Sequence, residues 1–410
     1  MSKDADVIVI GGGVIGSSVT YQLAKLGKKV LQIEREDLTR GAAGATDGVV
    51  GYHTKKPGPQ MELAIRSIAM FEHLSEELGM DIEYGLHCGG MQPVEDQLQW
   101  DILSEIVKEQ KKSGVDIRMI GIEEARRLEP MLAEDLKGAL YSPTGGKVNP
   151  IRLTLAFAKA AKRLGAALLT GTEVTGLQME GCRVTGVVTT KGSFTADAVV
   201  NACGAWAAAI GKMAGLQIPI LPRKGQLIVT EPVGPFMEVT LQCARYNVIK
   251  FRPEAVDDPA ALKLGNSLSI EQTRDGGLII GGTREFAGYD RGNTLEAIET
   301  ILQRAVRFFP ALKDLCFIRT FAGLRPYTRD GLPLIGPVEG LEGFYMAAGH
   351  EGDGIALSPI TGKLLAEQIV YGEPSYSLRD FDPNRFPLRE AVSDFSAAMQ
   401  SSKKGGAACD

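Results

Sequence analysis

Short apolar runs alternate with amphipathic segments at the start of the chain. Residues 6–10 form an apolar run of strand length, and the glycine-rich stretch 11–16 follows directly. Apolar positions with helical spacing come next and end at Gly27. A second apolar run, 29–33, ends at Glu34. This order predicts strand, tight turn, helix and strand, the first unit of a parallel α/β layer.

Farther along the chain, helical spacing and short apolar runs continue to alternate. Helices are expected at residues 65–78, 97–113, 122–129, 150–164 and 294–308. Strands are expected at 166–169, 174–177, 184–189, 192–196 and 198–204, with a helix opening at Ala205 and Trp206. Between residues 216 and 318 strand-like pieces dominate, at 225–230, 267–270 and 277–282, and 294–308 is the one helix expected. This region predicts a second layer built on an antiparallel sheet.

The glycine-rich stretch has the spacing G-x-G-x-x-G. Gly11 permits the tight turn, Gly13 lets the backbone approach a pyrophosphate, and Gly16 lets the helix pack closely on the strand. The free N–H groups at the helix start attract phosphates, and Glu34 can accept a hydrogen bond from a ribose hydroxyl. The stretch therefore predicts a dinucleotide site. The residues expected to contact the cofactor here are Gly11, Gly13, Val14, Ile15, Gly16, Glu34 and Arg35.

A run of small residues, 39–48, follows the second strand. Such a run can wrap closely around a pyrophosphate, a ribityl chain and a flavin edge, although an ordinary flexible loop is the alternative. Together with the N-terminal position of the glycine motif, it favours FAD over NAD. The expected cofactor contacts in this loop are Gly41, Ala42, Gly44, Ala45, Thr46 and Asp47.

Bulk properties narrow the class of protein. A chain of 410 residues predicts two domains. The net charge of −5 gives no reason to expect a nucleic-acid partner. No apolar run reaches the length of a membrane span and no signal-peptide pattern is present, so we expect a cytoplasmic protein without an integral membrane segment. Six scattered cysteines without C-x-x-C and four histidines predict reduced thiols and no metal site.

Three further blocks complete the pattern. They are residues 199–206 (VVNACGAW), 321–336 (FAGLRPYTRDGLPLIG) and 346–359 (MAAGHEGDGIALSP). With the glycine motif and the small-residue loop, in this order and over nearly the whole chain, they resemble the D-amino-acid oxidase family of flavoproteins. The resemblance is greatest to its glycine-oxidase and sarcosine-oxidase branches.

The resemblance implies a position at the flavin for the last block. Its loop-to-helix turn would lie over the pyrimidine side, where backbone N–H groups and the helix starting near Gly354 stabilise negative charge on the reduced flavin. Val174 would contact the adenine side, and Gly204 and Trp206 would lie near the pyrophosphate. The remaining contacts implied are Gly349, His350, Gly352, Asp353 and Ile355.

Arg325 is implied to hold the substrate carboxylate, since a guanidinium offers two parallel charge-assisted hydrogen bonds. It would also touch the cofactor; the alternative is an arginine that ties the domain interface together. Tyr246, Arg284 and Tyr327 are further candidates for the substrate pocket, with surface or core packing as the alternative. His350 would interact with flavin or substrate, or only pack.

The implied fold class is α/β. A Rossmann-like FAD-binding domain of the GR2 type would comprise residues 1–80, 145–215 and 320–372. An α+β substrate domain on a mostly antiparallel sheet would comprise 81–144 and 216–319. Residues 373–410 would form a C-terminal tail.

The implied activity is oxidation of the C–N bond of a small amino or imino acid of the glycine, sarcosine, proline or D-amino-acid class. Hydride would pass to flavin N5 and leave an imine. A 2-hydroxy-acid or glycerol-phosphate dehydrogenase is one alternative, and a flavin-bearing subunit that needs a partner is another. The cysteine that binds the flavin covalently in monomeric sarcosine oxidases is missing near Arg325. His53 lies too far from the loop position at which other relatives attach FAD through a histidine, so non-covalent FAD is expected.

The block 349–352 is similar to β-type subunits of heteromeric dehydrogenases, such as hydrogen cyanide synthase, opine oxidases and hydroxyproline or proline dehydrogenases. The resemblance therefore implies partner subunits with iron–sulfur or additional flavin centres. A homo-oligomer is the other expectation.

Overall fold

Two large sheets organise the chain in the computed structural model, which describes residues 4–86, 88–256, 263–265 and 267–389. One sheet is almost entirely parallel and the other almost entirely antiparallel. The predicted α/β class, with a Rossmann-like layer and a mostly antiparallel second sheet, is confirmed. No helix in the described part of the chain is long and apolar enough to cross a membrane.

The parallel sheet has six strands. In spatial order they are Leu334–Pro337, Phe344–Ala348, Ala198–Asn201, Val7–Ile10, Val30–Ile33 and Ala167–Leu169, and only the first runs antiparallel to its neighbour. The strands Ala198–Asn201, Val7–Ile10 and Val30–Ile33 are buried on both faces, which explains why they read as continuous apolar runs.

Each face of the parallel sheet is covered by its own group of elements. Four helices pack together on one face: Val14–Lys25, Pro59–Leu78, Pro150–Arg163 and Gly354–Tyr371. The other face carries the helix Ala207–Met213 and a three-stranded meander, Val174–Glu180, Arg183–Thr189 and Gly192–Thr195. The meander predicted between residues 174 and 196 is confirmed.

The second sheet has eight strands. In spatial order they are Phe317–Tyr327, Leu221–Thr230, Leu278–Gly281, Ser269–Gln272, Thr240–Gln242, Gly90–Val94, Gly138–Ser142 and Arg118–Gly121. Only the pair Thr240–Gln242 and Gly90–Val94 is parallel. The helices near this sheet are Gln97–Lys111, Ile122–Leu128, Ala244–Phe251 and Leu295–Phe308. The strands Val49–Gly51, Gly145–Lys147 and Gly85–Leu86 form a further, small antiparallel sheet.

Several element predictions need correction. The helix expected at 65–78 begins at Pro59, whose fixed φ suits a first helical position. Residues 204–206 form a 3-10 turn ahead of the helix Ala207–Met213. Between residues 216 and 318 the structure has a second helix, Ala244–Phe251, in addition to the expected one at 294–308. Its sequence does not predict a helix, because it is short and mixes polar and apolar positions without a clear period.

The domain boundaries predicted at residues 320 and 373 do not fall at gaps between packed elements. Residue 320, proposed as the return to the nucleotide domain, lies inside the strand Phe317–Tyr327 of the eight-stranded sheet. The predicted tail from 373 begins with a packed segment that buries Phe381. Residues 390–410, including Cys409, lie outside the described residues, and the five described cysteines are free thiols.

The close packing of the first and last helices of the parallel layer can be tested at Gly362. A Cβ at this position would lie 2.8 Å from the backbone carbonyl carbon and oxygen of Ser18. Helix propensity alone predicts that Gly362→Ala stabilises the protein by about 1 kcal/mol. We expect the opposite sign, a loss of about 1–3 kcal/mol in the free energy of unfolding, because backbone atoms must move.

The measurement is urea denaturation followed by circular dichroism. Gly234→Ala is the matched control, since a Cβ at Gly234 meets no atom within 4 Å. A Gly362→Ala variant as stable as Gly234→Ala would show that the two helices are not in close contact.

Candidate functional site

An open cleft lies at the carboxyl ends of the parallel strands. It continues to the eight-stranded sheet through Gly225, Gly323 and Arg325. Ligands of open α/β sheets bind at this edge. Most of the predicted cofactor contacts line it: Gly11, Gly13, Val14, Ile15, Glu34, Arg35, Gly41, Ala42, Ala45, Thr46, Val174, Gly204, Trp206, Arg325, His350, Gly352, Gly354 and Ile355.

Five predicted contacts do not line the cleft: Gly16, Gly44, Asp47, Gly349 and Asp353. A Cβ at Gly16 would overlap the Gly11 carbonyl, and one at Gly44 would overlap the Thr39 carbonyl, so these glycines permit packing within the protein. Asp47 accepts a hydrogen bond from Ser269, and Gly349 adopts φ +88° in the turn before the last helix. These four residues therefore support the cleft from behind its lining. Asp353 instead binds lysine side chains, as described below.

The start of the helix Val14–Lys25 is open to a ligand. A Cβ on Gly13 would meet no protein atom within 4 Å. Neither a side-chain cap nor an acidic residue occupies the first turn of the helix. The helix therefore presents free N–H groups and the positive end of its dipole to the cleft, an arrangement that binds phosphate.

Glu34 is fixed at the end of the second strand by two backbone donors. Its carboxylate accepts from the N–H of Gly12 at 2.6 Å and from that of Glu36 at 2.9 Å. Nearby, the Arg35 guanidinium lies 4.5 Å from the centre of the Trp206 ring, which stacks on Tyr289. This end of the cleft therefore offers an oriented carboxylate and a flat cationic surface.

Glu271 lies beneath the small-residue loop, and no local motif predicted its position. It is buried and accepts a hydrogen bond from the Gly48 N–H at 3.0 Å. Burial raises the pKa of Glu271 to about 8, and the neighbouring carboxylate of Asp47 adds to the effect. At neutral pH the loop therefore rests on a protonated carboxyl group.

Asp353 precedes the helix Gly354–Tyr371 but does not cap it. Its carboxylate instead accepts from Lys55 at 2.6 Å, Gln60 at 2.7 Å and Lys250 at 3.1 Å. Burial opposes the charge of Asp353, but the two lysines outweigh burial and hold its pKa far below the usual range. The helix N-terminus is left without a side-chain cap beside Gly354, at the cleft wall.

Arg325 lies half-buried in the cleft. One end of its guanidinium donates from Nη1 to the Thr283 carbonyl at 2.8 Å. A Cβ on Gly352 would lie 3.7 Å from both Arg325 Nε and the Tyr246 hydroxyl oxygen. The Arg284 guanidinium lies 3.9 Å from the centre of the Tyr246 ring. The structure thus brings together three of the residues predicted for the substrate pocket.

Tyr327 lies at the edge of this group. Its ring packs edge-on against Phe286, and the Arg223 guanidinium lies over both rings at 5.1–5.3 Å. Arg223 and Glu351 were not predicted as site residues. Arg223 lies outside the motifs, and Glu351 lies in the block 346–359 but was given no role there. Glu351 Oε1 lies 3.6 Å from Arg223 Nη1 and 3.8 Å from Arg284 Nε.

Glu351 is ionised in this setting. Burial opposes its charge, but Arg284, Arg223 and Arg325 lower the pKa of its carboxyl to about 2. It therefore provides a fixed negative charge and is a poor proton acceptor at neutral pH.

His350 lines the cleft and is buried. Its Nε2 lies 3.0 Å from the Thr361 hydroxyl, which fixes the ring orientation. Burial lowers the pKa of His350 to about 3, so the imidazole is neutral at physiological pH. It can orient a neighbouring group without adding positive charge.

These features fit FAD. The open helix start suits a pyrophosphate, Glu34 suits a ribose, and the uncapped helix at Gly354 suits a flavin edge that gains negative charge. No group of three or more histidine, cysteine, aspartate or glutamate side chains in the described ranges could hold a metal ion.

A glycine-rich turn on a parallel sheet, with a basic pocket beside it, defines a dinucleotide-dependent enzyme. The chain belongs to the DAO family of FAD dependent oxidoreductases, whose model matches residues 6–368. It is thus a flavoprotein oxidoreductase of a family that contains amino-acid oxidases and dehydrogenases.

Relatives of known name cover nearly the whole chain. Hydrogen cyanide synthase subunit HcnC of Pseudomonas aeruginosa is 31% identical over 91% of this chain and 94% of its own. Glycine oxidase of Geobacillus kaustophilus is 31% identical over 94% and 98%. The crystal structure of L-proline dehydrogenase from P. horikoshii superposes with a TM-score of 0.84, at 31% identity, over 94% of this chain and 98% of that one.

The open space above Gly13 gives a test of the phosphate site. Gly13→Val adds a side chain where no protein atom lies within 4 Å, at a backbone conformation that any residue adopts. We expect the apoprotein to keep its stability, while the affinity for FAD falls roughly 10- to 100-fold because the cofactor must move away from the helix start.

Titration of apoprotein with FAD, followed by flavin fluorescence, measures the effect. Gly121→Val is the matched control, because Gly121 also precedes a helix in an extended conformation with no atom near its Cβ position. Equal FAD affinity of the two variants would contradict a pyrophosphate above Gly13.

The pKa of Glu271 predicts a pH-dependent stability. Between its usual value of about 4.3 and the folded value of about 8, the folded protein holds a proton that the unfolded chain releases. Stability gained from this proton is therefore lost as the pH rises through this window. Glu271→Gln cannot ionise, so its stability relative to wild type should increase with pH, on the order of 1 kcal/mol per pH unit.

Urea unfolding of both proteins at several pH values between 5 and 8 measures the difference in their free energies of unfolding as a function of pH. A curve that is flat, or that falls with pH, would show that Glu271 is ionised in the folded protein.

Proposed function

We propose that this protein oxidises the C–N bond of a small amino or imino acid with non-covalently bound FAD. The observation that carries the proposal is the position of Arg325, a cation in the same cleft as the dinucleotide motif. The names of the relatives support it, since glycine oxidase and L-proline dehydrogenase are named for amino- and imino-acid substrates.

Arg325 would bind the substrate carboxylate. Its bond to the Thr283 carbonyl fixes one end of the guanidinium, and the rest of the planar fork can pair with an anion. Burial raises the pKa of Tyr246, so its hydroxyl keeps its proton and can donate to the same carboxylate. The substrate would then lie against Gly352, with its α carbon directed toward the flavin.

When bound, FAD would supply hydride-accepting chemistry: the substrate would lose its α hydrogen with two electrons and a proton from its amine nitrogen, and the product would be an imine. No strong base is needed if the amine enters in its neutral form. This agrees with Glu351, whose pKa of about 2 makes it a poor base, and with the neutral His350.

Non-covalent attachment is supported by the surroundings of two candidate side chains. Cys203 lines the cleft near the glycine motif, but burial raises the pKa of its thiol far above the usual range, so the reactive thiolate is disfavoured. His53 is buried, outside the residues that line the cleft, and hydrogen-bonds Gln242. Neither side chain is suited to form a bond to the flavin.

Partner subunits are part of the proposal. HcnC is named as a subunit of hydrogen cyanide synthase, and L-proline dehydrogenase superposes over nearly the full chain. By analogy, the electrons would pass from the flavin to an iron–sulfur or flavin centre on another subunit. We also propose that the parallel layer binds FAD and that the eight-stranded sheet provides the substrate side.

Arg325→Lys tests the carboxylate role. Lysine keeps the charge but loses the planar fork, so we expect the apparent KM for the amino acid to rise at least about 10-fold while flavin stays bound. Anaerobic bleaching of the flavin by glycine, sarcosine, proline and D-amino acids gives the rates, with lactate and glycerol phosphate as tests of the hydroxy-acid alternative.

Arg319→Lys on the same strand is the matched control, because Arg319 is exposed outside the cleft. An unchanged KM in Arg325→Lys would remove Arg325 from the substrate site. Bleaching by the hydroxy acids alone would overturn the proposed reaction.

A further inference from the structure

Two arginines stand directly opposite each other on neighbouring strands beside the cleft. Arg223 and Arg325 are register partners in the antiparallel pair Leu221–Thr230 and Phe317–Tyr327. Side chains of directly opposite residues share one face of the sheet, about 4.5–5.5 Å apart at their Cβ atoms, and like charges in this position are destabilising. Negative charge beside such a pair offsets this repulsion.

A third guanidinium lies behind this pair. Arg284 has a side chain only 3% exposed. The Tyr246 side chain interacts with it, but Nε, Nη1 and Nη2 make no hydrogen bond of good geometry to a residue that the structure describes. Nε of Arg223 is likewise buried without one. Burying guanidinium donors without hydrogen-bond acceptors is costly, so these donors point to an anion that belongs to the site.

The protein's own carboxylate does not satisfy them. Glu351 Oε1 lies 3.6 Å from Arg223 and 3.8 Å from Arg284, beyond hydrogen-bonding distance, and it has no hydrogen-bond partner among the described residues. Its Oε2 accepts from the N–H of Gly352. With one carboxylate against three guanidiniums, the cluster keeps an excess of two positive charges.

The neighbouring basic cluster shows the contrast. Lys55 and Lys250 both donate to Asp353, and each has a second acceptor in Thr54, the hydroxyl for Lys55 and the carbonyl for Lys250. Their charges are satisfied within the protein. Of these two neighbouring basic clusters, only the arginine cluster, next to the proposed substrate carboxylate site, holds buried donors without a partner among the described residues.

Aromatic rings hold the arginines in place without using their N–H groups. Arg284 lies over Tyr246, and Arg223 lies over Phe286 and Tyr327. A guanidinium supported through its flat face keeps its in-plane donors available. Arg223 lies beside the cleft rather than in its lining, with a side chain 20% exposed, and the more deeply buried Arg284 adds positive potential from behind.

We propose that the substrate is an amino or imino acid with two acidic groups, one bound by Arg325 and the other by Arg223 with Arg284 behind it. This inference rests on the proposed function and deepens it. An amino acid with a neutral amine and two carboxylates carries two negative charges, which match the excess of the cluster. The direct opposition of the two arginines selects a short dicarboxylic compound.

Binding of unreactive acids to the FAD-loaded enzyme tests the inference apart from catalysis. Succinate and butyrate both have four carbons but differ in the second carboxylate. We expect succinate to bind at least about 10-fold more tightly, the effect of one charge-assisted hydrogen bond. Isothermal titration calorimetry and the shift of the flavin absorption bands measure both affinities. Equal affinities in the wild-type enzyme would overturn the inference without any variant.

Arg223→Met locates the second site. We expect it to lower succinate affinity at least about 10-fold and to bring the succinate-to-butyrate ratio close to one. Arg319→Met is the matched control, since it lies on the same strand as Arg325 opposite Val229, away from the cluster, and should keep the ratio of the wild type. A ratio that survives in Arg223→Met would also overturn the inference.

Oxidation of matched amines separates this inference from the proposed function. The compounds are N-(carboxymethyl)glycine, which has two carboxylates, and sarcosine, which has one. We expect kcat/KM for flavin bleaching to be at least about 10-fold higher with N-(carboxymethyl)glycine. If sarcosine bleaches the flavin equally well and succinate has no advantage, the proposed function stands and the dicarboxylate inference fails. If succinate binds preferentially but no amine bleaches the flavin, the acid site stands and the proposed reaction fails.

Discussion

The carboxylate of Asp353 connects the segments on which the cleft depends. It is 2% exposed and binds Lys55, Gln60 and Lys250, which come from the loop after the small sheet, the helix Pro59–Leu78 and the helix Ala244–Phe251. Removing one partner of a buried ion pair costs about 3–5 kcal/mol, because the other charge is then left buried and unpaired. The network therefore fixes where the two sheets meet and leaves the last helix without a cap.

The turn before that helix separates two acidic residues with different tasks. Glu351 adopts φ +50°, a left-handed conformation that reverses the chain between the strand Phe344–Ala348 and the helix. On one side of Gly352, Glu351 faces the arginines; on the other, Asp353 faces the lysines. A conventional helix cap by Asp353 would satisfy the N–H groups near Gly354, so the lysines keep them available. The ion pairs and the cofactor edge are thus parts of one arrangement.

Local patterns were sufficient to predict the parallel layer. The strand, the glycine turn and Glu34 are close in sequence, and the physical role of each follows from spacing. The grouping of Arg223 and Glu351 with Arg284 could not be predicted in the same way, although Arg284 itself is a candidate for the substrate pocket. Arg223, Arg284 and Glu351 come from distant segments, and only the register of the strands and the turn after Ala348 bring them together. The helix Ala244–Phe251 was missed for a related reason, because its placement depends on tertiary contacts rather than periodicity.

The cleft is negative at one end and positive at the other. The positive end suits an anionic substrate and a cofactor edge that gains negative charge. Glu34 is the fixed acid at the nucleotide end, where a ribose needs an acceptor. The opposite end holds the arginines around a single carboxylate, and burial keeps His350 neutral between them. Under the proposed function, a protonated His350 would add charge next to the flavin edge and compete with Arg325 for the substrate. The low pKa of His350 would then leave Arg325 and Arg223 to orient the substrate.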